Sequence, residues 1–126
     1  MNVLMDTCAL LALAGGDLPR GAAGALRQAS EAYVSVVSPW EVAIKVAGGK
    51  LRLIEPPAQW FLGLLERYDL REVPLDAGTA CAAAALPPLH RDPFDRVIVA
   101  LAQARGLAVL TSDENIRKYP GVTTLW

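Results

Sequence analysis

Residues 90–113 read HRDPFDRVIVALAQARGLAVLTSD, and this stretch carries most of the information about the fold. Asp92 followed by Pro93 is typical of a helix start, and Gly106 is typical of a helix end. The segment between them is apolar almost all the way round, so the helix predicted over 93–105 should be buried. The aliphatic run after Gly106 predicts a strand over 107–110 that lies antiparallel to this helix.

The rest of the chain repeats this alternation of short strands and helices. Alternating elements of this kind favour a mostly parallel sheet covered by helices on both faces, so the predicted fold class is α/β, a three-layer α/β/α sandwich. The other predicted strands are 2–5, 33–37, 71–75 and 122–125, and the other predicted helices are 7–14, 20–31, 39–47, 57–68 and 77–86.

Composition predicts one domain over residues 1–126 with a substantial core, since 53% of the residues are hydrophobic and 20% are charged. No apolar run reaches the roughly 18 residues that cross a bilayer, and the first residues lack the basic segment of a signal peptide, so we expect a cytoplasmic protein. Cys8 and Cys81 are expected as small buried thiols. A net charge of -1 excludes a broadly basic surface, so any grip on nucleic acid must be local.

Four carboxylates are predicted at one edge of the sheet. Asp6, Glu41 and Asp113 each follow a predicted strand, and the carboxyl ends of parallel strands share the edge where ligands bind. Asp95 joins them because its helix runs antiparallel to the fourth strand, which brings the start of the helix to the same edge. Close carboxylates repel by about 3 kcal/mol per pair at an effective dielectric near 20, so their pKa values should rise without a cation. Oxygen ligands without thiolates or suitably spaced histidines favour Mg²⁺ or Mn²⁺ over Zn²⁺.

Each acid also has a purely structural interpretation. Glu41 follows Ser38 and Pro39 as a capping box would, and Asp6 and Asp113 fit ordinary turns. Asp92 is best explained as the cap of the 93–105 helix, which leaves Asp95 free to face inward. The coincidence of all four acids at one edge is what favours a metal site.

The same motifs resemble a known family. VLMDT at the start, SPWEVAIK, HRDPFDR, GLAVLTSDE and the tail YPGVTTLW are together similar to the PIN-domain ribonucleases, in particular the VapC type of bacterial toxin–antitoxin systems. The resemblance runs along essentially the whole chain, and HRDPFDR followed at this spacing by TSDE is its most specific part.

The resemblance implies a five-stranded parallel sheet of order 3-2-1-4-5 and a metal-dependent endoribonuclease that uses Asp6, Glu41, Asp95 and Asp113 with one or two Mg²⁺ or Mn²⁺ ions. It also implies a homodimer, inhibited by a VapB-type antitoxin whose C-terminal segment crosses the active-site groove. Thr111 matches the family's hydroxyl residue before the last acid. Hydrolysis of RNA by such a site would leave a 5′ phosphate and a 3′ hydroxyl.

Basic residues near the acids are the expected RNA contacts. Lys45 lies one helical turn after Glu41, and Arg91 and Arg96 flank Asp92 and Asp95 in sequence. His90 is the chain's one histidine and is interpreted as a helix-entry or surface residue rather than a catalyst.

Two other functions are alternatives to the nuclease. A phosphoacceptor receiver domain is similar in size, but it needs adjacent acids after the first strand and a lysine after the fifth, and this sequence offers neither. A noncatalytic PIN-like module that binds an antitoxin or RNA is the stronger alternative, and the complete set of four acids argues against it.

Overall fold

A computed structural model describes residues 1–126 and contains a five-stranded sheet flanked by helices. All strand pairs are parallel, and the strand order is β3-β2-β1-β4-β5, as the resemblance implied. The strands are β1 Val3–Met5, β2 Ala32–Ser35, β3 Leu70–Val73, β4 Ala108–Leu110 and β5 Thr124–Leu125. The helices are α1 Thr7–Gly15, α2 Arg20–Gln28, α3 Val37–Ala47, α4 Pro57–Tyr68, α5 Ala77–Ala85, α6 Pro93–Arg105 and α7 Glu114–Arg117.

Two apolar clusters cover the two faces of the sheet and make it the middle of three layers. Alternate strand residues point to opposite faces, so Leu4 and Val109 belong to one cluster, whereas Val3 and Met5 belong to the other. The first cluster is completed mainly by α6, and the second by α1 and α4. The predicted α/β/α sandwich is therefore confirmed.

Helix α6 is buried in the way its composition predicted. Its residues from Val97 to Ala102 are all buried, although neighbouring positions on a helix face different directions. Gly106 ends the helix in the left-handed region with φ 66°, where its amide donates to the carbonyl of Ala102. This tight end places the start of α6 beside the carboxyl end of β4.

The junction between β2 and α3 differs from the prediction. The strand ends at Ser35 and the helix begins at Val37, so Val36 and Val37 are not in the strand. Ser38 lies inside the helix instead of capping it, and its hydroxyl accepts a hydrogen bond from the Thr7 hydroxyl at 3.0 Å. Glu41 is consequently the fifth residue of the helix and not the third, and the capping-box interpretation of Glu41 is wrong.

Two further differences from the predictions concern the cysteines and the segment after Asp113. Cys8 and Cys81 are both exposed, not buried. The short helix α7 was not predicted, although Asp113 caps it by accepting from the Asn115 amide at 2.8 Å.

No helix of the chain combines the length and the apolar character needed to cross a bilayer.

Candidate active site

The carboxyl ends of β1 and β4 bring Asp6 and Asp113 to the same edge of the sheet. Asp6 directly follows β1 and is 2% exposed, and its carboxylate accepts a hydrogen bond from the Ala9 amide at 2.7 Å. Thr111 follows β4 and is fully buried, and its hydroxyl accepts from the Asp113 amide at 2.9 Å. Both acids therefore cap helices, and Thr111 fixes the turn that directs Asp113.

Asp95 reaches this edge from α6, as the antiparallel arrangement of α6 and β4 predicted. Asp92 caps the helix by accepting from the Phe94 amide at 2.9 Å, so Asp95 occupies the first turn without serving as the cap. The side chain of Asp95 is 14% exposed. One of its oxygens and one of Asp113 lie with a nitrogen of His90 in a group whose members are all within 4.8 Å of one another.

Glu41 enters the site from α3 and is only partly satisfied. One of its carboxylate oxygens, Oε2, lies 3.3 Å from the ammonium of Lys45 on the next turn of the helix. The other, Oε1, is buried and has no hydrogen-bond partner. A buried carboxylate oxygen without a partner is costly, because its desolvation is not compensated. This atom is therefore available to a ligand that carries positive charge.

The pKa values of Asp95 and Asp6 show that the negative charge of these two acids is unfavourable in the fold. Burial raises the pKa of Asp95 to about 7, and the neighbouring charge of Asp92 adds to the effect, against the hydrogen bond from His90. Burial also raises the pKa of Asp6, while its hydrogen bonds to Thr111 and Ala9 act in the opposite direction. The predicted direction is confirmed for these two acids. Burial, rather than mutual repulsion, is its main cause.

His90 was not predicted to belong to the site. Its Nε2 lies 2.8 Å from Asp95 Oδ2 and 3.3 Å from Asp113 Oδ2, and its side chain is 16% exposed. The sequence carried no signal for this contact beyond the position of His90 shortly before the capped helix. The contact depends on the path of residues 87–91, which tertiary hydrogen bonds determine.

Arg96 does not serve the role that the sequence suggested. Its guanidinium donates to four backbone carbonyls around the end of α5 and the following loop and to the hydroxyl of Tyr119. With its donors committed to these groups, the side chain ties α5 to α6 and is not free for RNA. Arg91 is exposed, and Lys45 stays at the site through its ion pair with Glu41.

Replacing Arg96 with methionine is expected to lower the free energy of unfolding by about 2 kcal/mol, because several carbonyls lose their donor at once. Arg91→Met is the matched control, since Arg91 is an exposed arginine in the same segment and should change stability by less than about 0.5 kcal/mol. Urea denaturation of both variants measures the difference. Equal stabilities for the two variants would contradict the structural role of Arg96.

Comparisons with known proteins agree with the fold. The family model described as PIN domain matches residues 3–122. Ribonuclease VapC22 of Mycobacterium tuberculosis is 31% identical over 112 residues, which cover 86% of this chain and 85% of the relative.

Solved structures share the fold at lower sequence identity. VapBC2 from Rickettsia felis, solved bound to a DNA fragment from its promoter, aligns with a TM-score of 0.72 at 15% identity and covers 98% of this chain and 97% of its own. A toxin–antitoxin complex from Klebsiella pneumoniae aligns with a TM-score of 0.67 at 22% identity and covers 97% and 96%. These structures support the fold, and their similarity extends along nearly the whole chain.

Proposed function

Because this chain belongs to the PIN domain family, we propose that it is a metal-dependent endoribonuclease acting as the toxin of a type II toxin–antitoxin pair. In this proposal, residues 1–126 form a single nuclease domain. Its catalytic and metal-binding acids are Asp6, Glu41, Asp95 and Asp113. It is supported by the 31% identity to a protein named Ribonuclease VapC22. The observation that carries it is the buried, unpartnered Oε1 of Glu41 beside acids whose charges are already unfavourable.

The donor atoms fit a hard divalent cation. Carboxylate oxygens are the ligands that Mg²⁺ and Mn²⁺ prefer, and the four acids supply them from two helices and two strand ends. Asp6, Glu41, Asp95 and Asp113 would hold one or two ions. When bound, such an ion supplies activation of water and neutralisation of charge on the phosphate.

The chain's own residues provide orientation and local charge. Thr111 holds the turn that carries Asp113, and Asp92 keeps the start of α6 in place so that Asp95 faces the site. Lys45 beside Glu41 and the exposed Arg91 are the proposed contacts for RNA phosphates. A small number of such contacts is what a chain of net charge -1 allows.

The proposed partners follow from the same comparisons. The matched structures include a toxin–antitoxin complex and two VapBC complexes, so we include a VapB-type antitoxin as the inhibitory partner and a homodimer as the assembly. The alternative function remains a noncatalytic module that binds antitoxin or RNA. An RNA cleavage assay distinguishes this module from a nuclease, because both would bind antitoxin or RNA but only the nuclease would cleave RNA.

The purified protein, separated from any antitoxin, is expected to cleave RNA in Mg²⁺ or Mn²⁺ and to lose this activity in EDTA, with recovery when the ion is restored. The products should carry a 5′ phosphate and a 3′ hydroxyl, which end-labelling after phosphatase or kinase treatment distinguishes. Cleavage that continues undiminished in EDTA would contradict the metal-dependent mechanism. RNA binding without any cleavage in either ion would favour the noncatalytic module.

A further inference from the structure

The single histidine of the chain joins two of the proposed ligands. The Nε2 atom of His90 lies 2.8 Å from Asp95 Oδ2 and 3.3 Å from Asp113 Oδ2. These carboxylates come from different elements, since Asp95 lies on α6 and Asp113 follows β4. One imidazole nitrogen thus contacts an acid from each side of the site.

The other ring nitrogen of His90 faces a hydrogen-bond donor. The backbone amide of Asp92 points at Nδ1 over a long distance of 3.5 Å. A neutral imidazole has one donor nitrogen and one acceptor nitrogen, and an amide N–H can only be met by the acceptor. The proton of the neutral ring therefore belongs on Nε2, where it faces the two carboxylates.

The backbone of His90 is held firmly enough to keep the ring in this place. Its amide donates to the hydroxyl of Tyr119 at 3.0 Å, and its carbonyl accepts from Arg96 at 3.0 Å. The Tyr119 hydroxyl in turn donates to the carbonyl of Pro87 at 3.0 Å, and Tyr119 itself is buried. Tyr119 and Arg96 therefore hold the backbone amide and the backbone carbonyl of His90, respectively.

We propose that His90 is a positioning residue that donates its Nε2–H to Asp95 and Asp113 and so fixes the orientation of their carboxylates for the ion. This inference rests on the proposed function, because it assigns a role within the same site. In this role His90 does not coordinate the ion, although its nitrogen lies within 4.8 Å of an oxygen of each of the two acids. Binding an ion through Nε2 would move the proton to Nδ1, where it would oppose the Asp92 amide.

A positioned carboxylate also binds the ion more tightly. Groups that hydrogen-bond to metal ligands fix the ligands' orientation, and their loss typically lowers metal affinity or activity by about 10- to 100-fold. A ring nitrogen in direct coordination would instead shift the preference of the site toward Zn²⁺. A hydrogen-bond donor and a direct ligand at position 90 are therefore expected to give different results in metal-binding experiments.

The tautomer of His90 is directly measurable by ¹⁵N NMR, since the chain contains one histidine and its signals need no assignment. For the neutral ring, we expect Nε2 to carry the proton in EDTA and to keep it when Mg²⁺ is added. A proton on Nδ1 in either condition would overturn the inference, and so would exchange-averaged signals from both nitrogens.

Two substitutions test the role of the donor independently of cleavage. His90→Gln places an amide N–H near the position of Nε2, whereas His90→Leu keeps bulk but has no donor. Calorimetric Mn²⁺ titration should give the glutamine variant an affinity within about fivefold of the parent and the leucine variant an affinity about 10- to 100-fold lower. Thermal melts in EDTA check that both variants are folded.

The outcomes separate the inference from the function on which it rests. Equal Mn²⁺ affinities for the parent and both variants would overturn the positioning role while leaving the metal site intact. Equal losses in both variants would overturn the donor role, because the glutamine donor then provides nothing. If the folded parent binds no Mn²⁺, the proposed function fails, and the inference fails with it.

Discussion

Replacing Asp95 with asparagine is expected to reduce metal-dependent RNA cleavage by at least about a thousandfold, a loss of about 4 kcal/mol of transition-state stabilisation. Asp95 is the acid with the most strongly raised pKa, and one of its oxygens lies within 4.8 Å of an oxygen of Asp113, so that one ion can contact both. Asparagine keeps the shape of the side chain and its ability to accept from His90, but it removes the negative charge that the ion requires. The loss should therefore appear in activity and metal affinity rather than in folding.

Asp76→Asn is the matched control for this substitution. Asp76 is also an aspartate at the start of a helix, where it caps α5 by accepting from the Thr79 amide at 2.7 Å, but it is exposed and lies outside the candidate site. Asparagine caps helices about as well as aspartate, so this variant should cleave RNA like the parent. Initial cleavage rates in Mn²⁺, with circular dichroism for both variants, make the comparison. An Asp95→Asn protein that cleaves RNA as fast as Asp76→Asn would show that Asp95 has no part in the reaction.

The metal-free protein is expected to lose about 2 to 3 kcal/mol of its free energy of unfolding between about pH 5 and pH 8. The pKa of Asp95 is raised from 3.8 to about 7 in the fold, so over this range the native state holds a proton that the unfolded state has released. Stability from this group is complete below the unfolded pKa and is lost as the pH rises through about 7. Asp6 acts in the same direction, because its pKa is also raised.

Addition of Mg²⁺ should remove most of this loss, because an ion that binds only the folded protein stabilises it and favours the ionised acids. Urea denaturation at several pH values, in EDTA and in Mg²⁺, gives both curves. In EDTA, Asp95→Asn should flatten the pH dependence and exceed the parent's stability by about 1 kcal/mol or more near pH 8. A parent whose stability is the same with and without Mg²⁺ near pH 8 would contradict a metal site at these acids.

The existence of most elements and their succession along the chain followed from the sequence because they depend on local signals, whereas several bounds differ by two or three residues. Helix α6 has a capping aspartate, a proline in its first position and a glycine at its end, and its predicted bounds over 93–105 match the structure. The order of the strands within the sheet did not follow from local signals and was implied by the family resemblance. Short apolar strands do not themselves specify which of them pair.

The predictions were wrong where a local side-chain hydrogen bond turns the chain or where an element is too short to give a pattern. Val36 and Val37 read as strand, yet Ser35 turns the chain by accepting from the Val37 amide at 3.2 Å and the helix begins there. Pro39 is tolerated in this first turn because the amides at a helix start have no intrahelical partner. Helix α7 is four residues long, too short to produce a periodic pattern.

The positions of the acids were predictable from the sequence, whereas the roles of His90 and Arg96 were not. Asp6 and Asp113 reach the edge of the sheet through strand direction alone, which a sequence reveals. His90 reaches it because Arg96 and Tyr119 hold its backbone, and Tyr119 lies 29 residues further along the chain. A contact of this kind depends on the assembled fold, and for the same reason Arg96 read as a surface cation when it is a structural donor.

Crystals grown with Mn²⁺ and measured for anomalous scattering test the central claim most directly. We expect an anomalous peak at the carboxyl edge of the sheet, coordinated by oxygens of Asp6, Asp95 and Asp113 at about 2.1 to 2.3 Å, with Glu41 Oε1 directed toward it. The nearest nitrogen of His90 should remain hydrogen-bonded to the carboxylates. A well-ordered crystal in saturating Mn²⁺ with no peak there, and with Glu41 Oε1 still without a partner, would contradict the account.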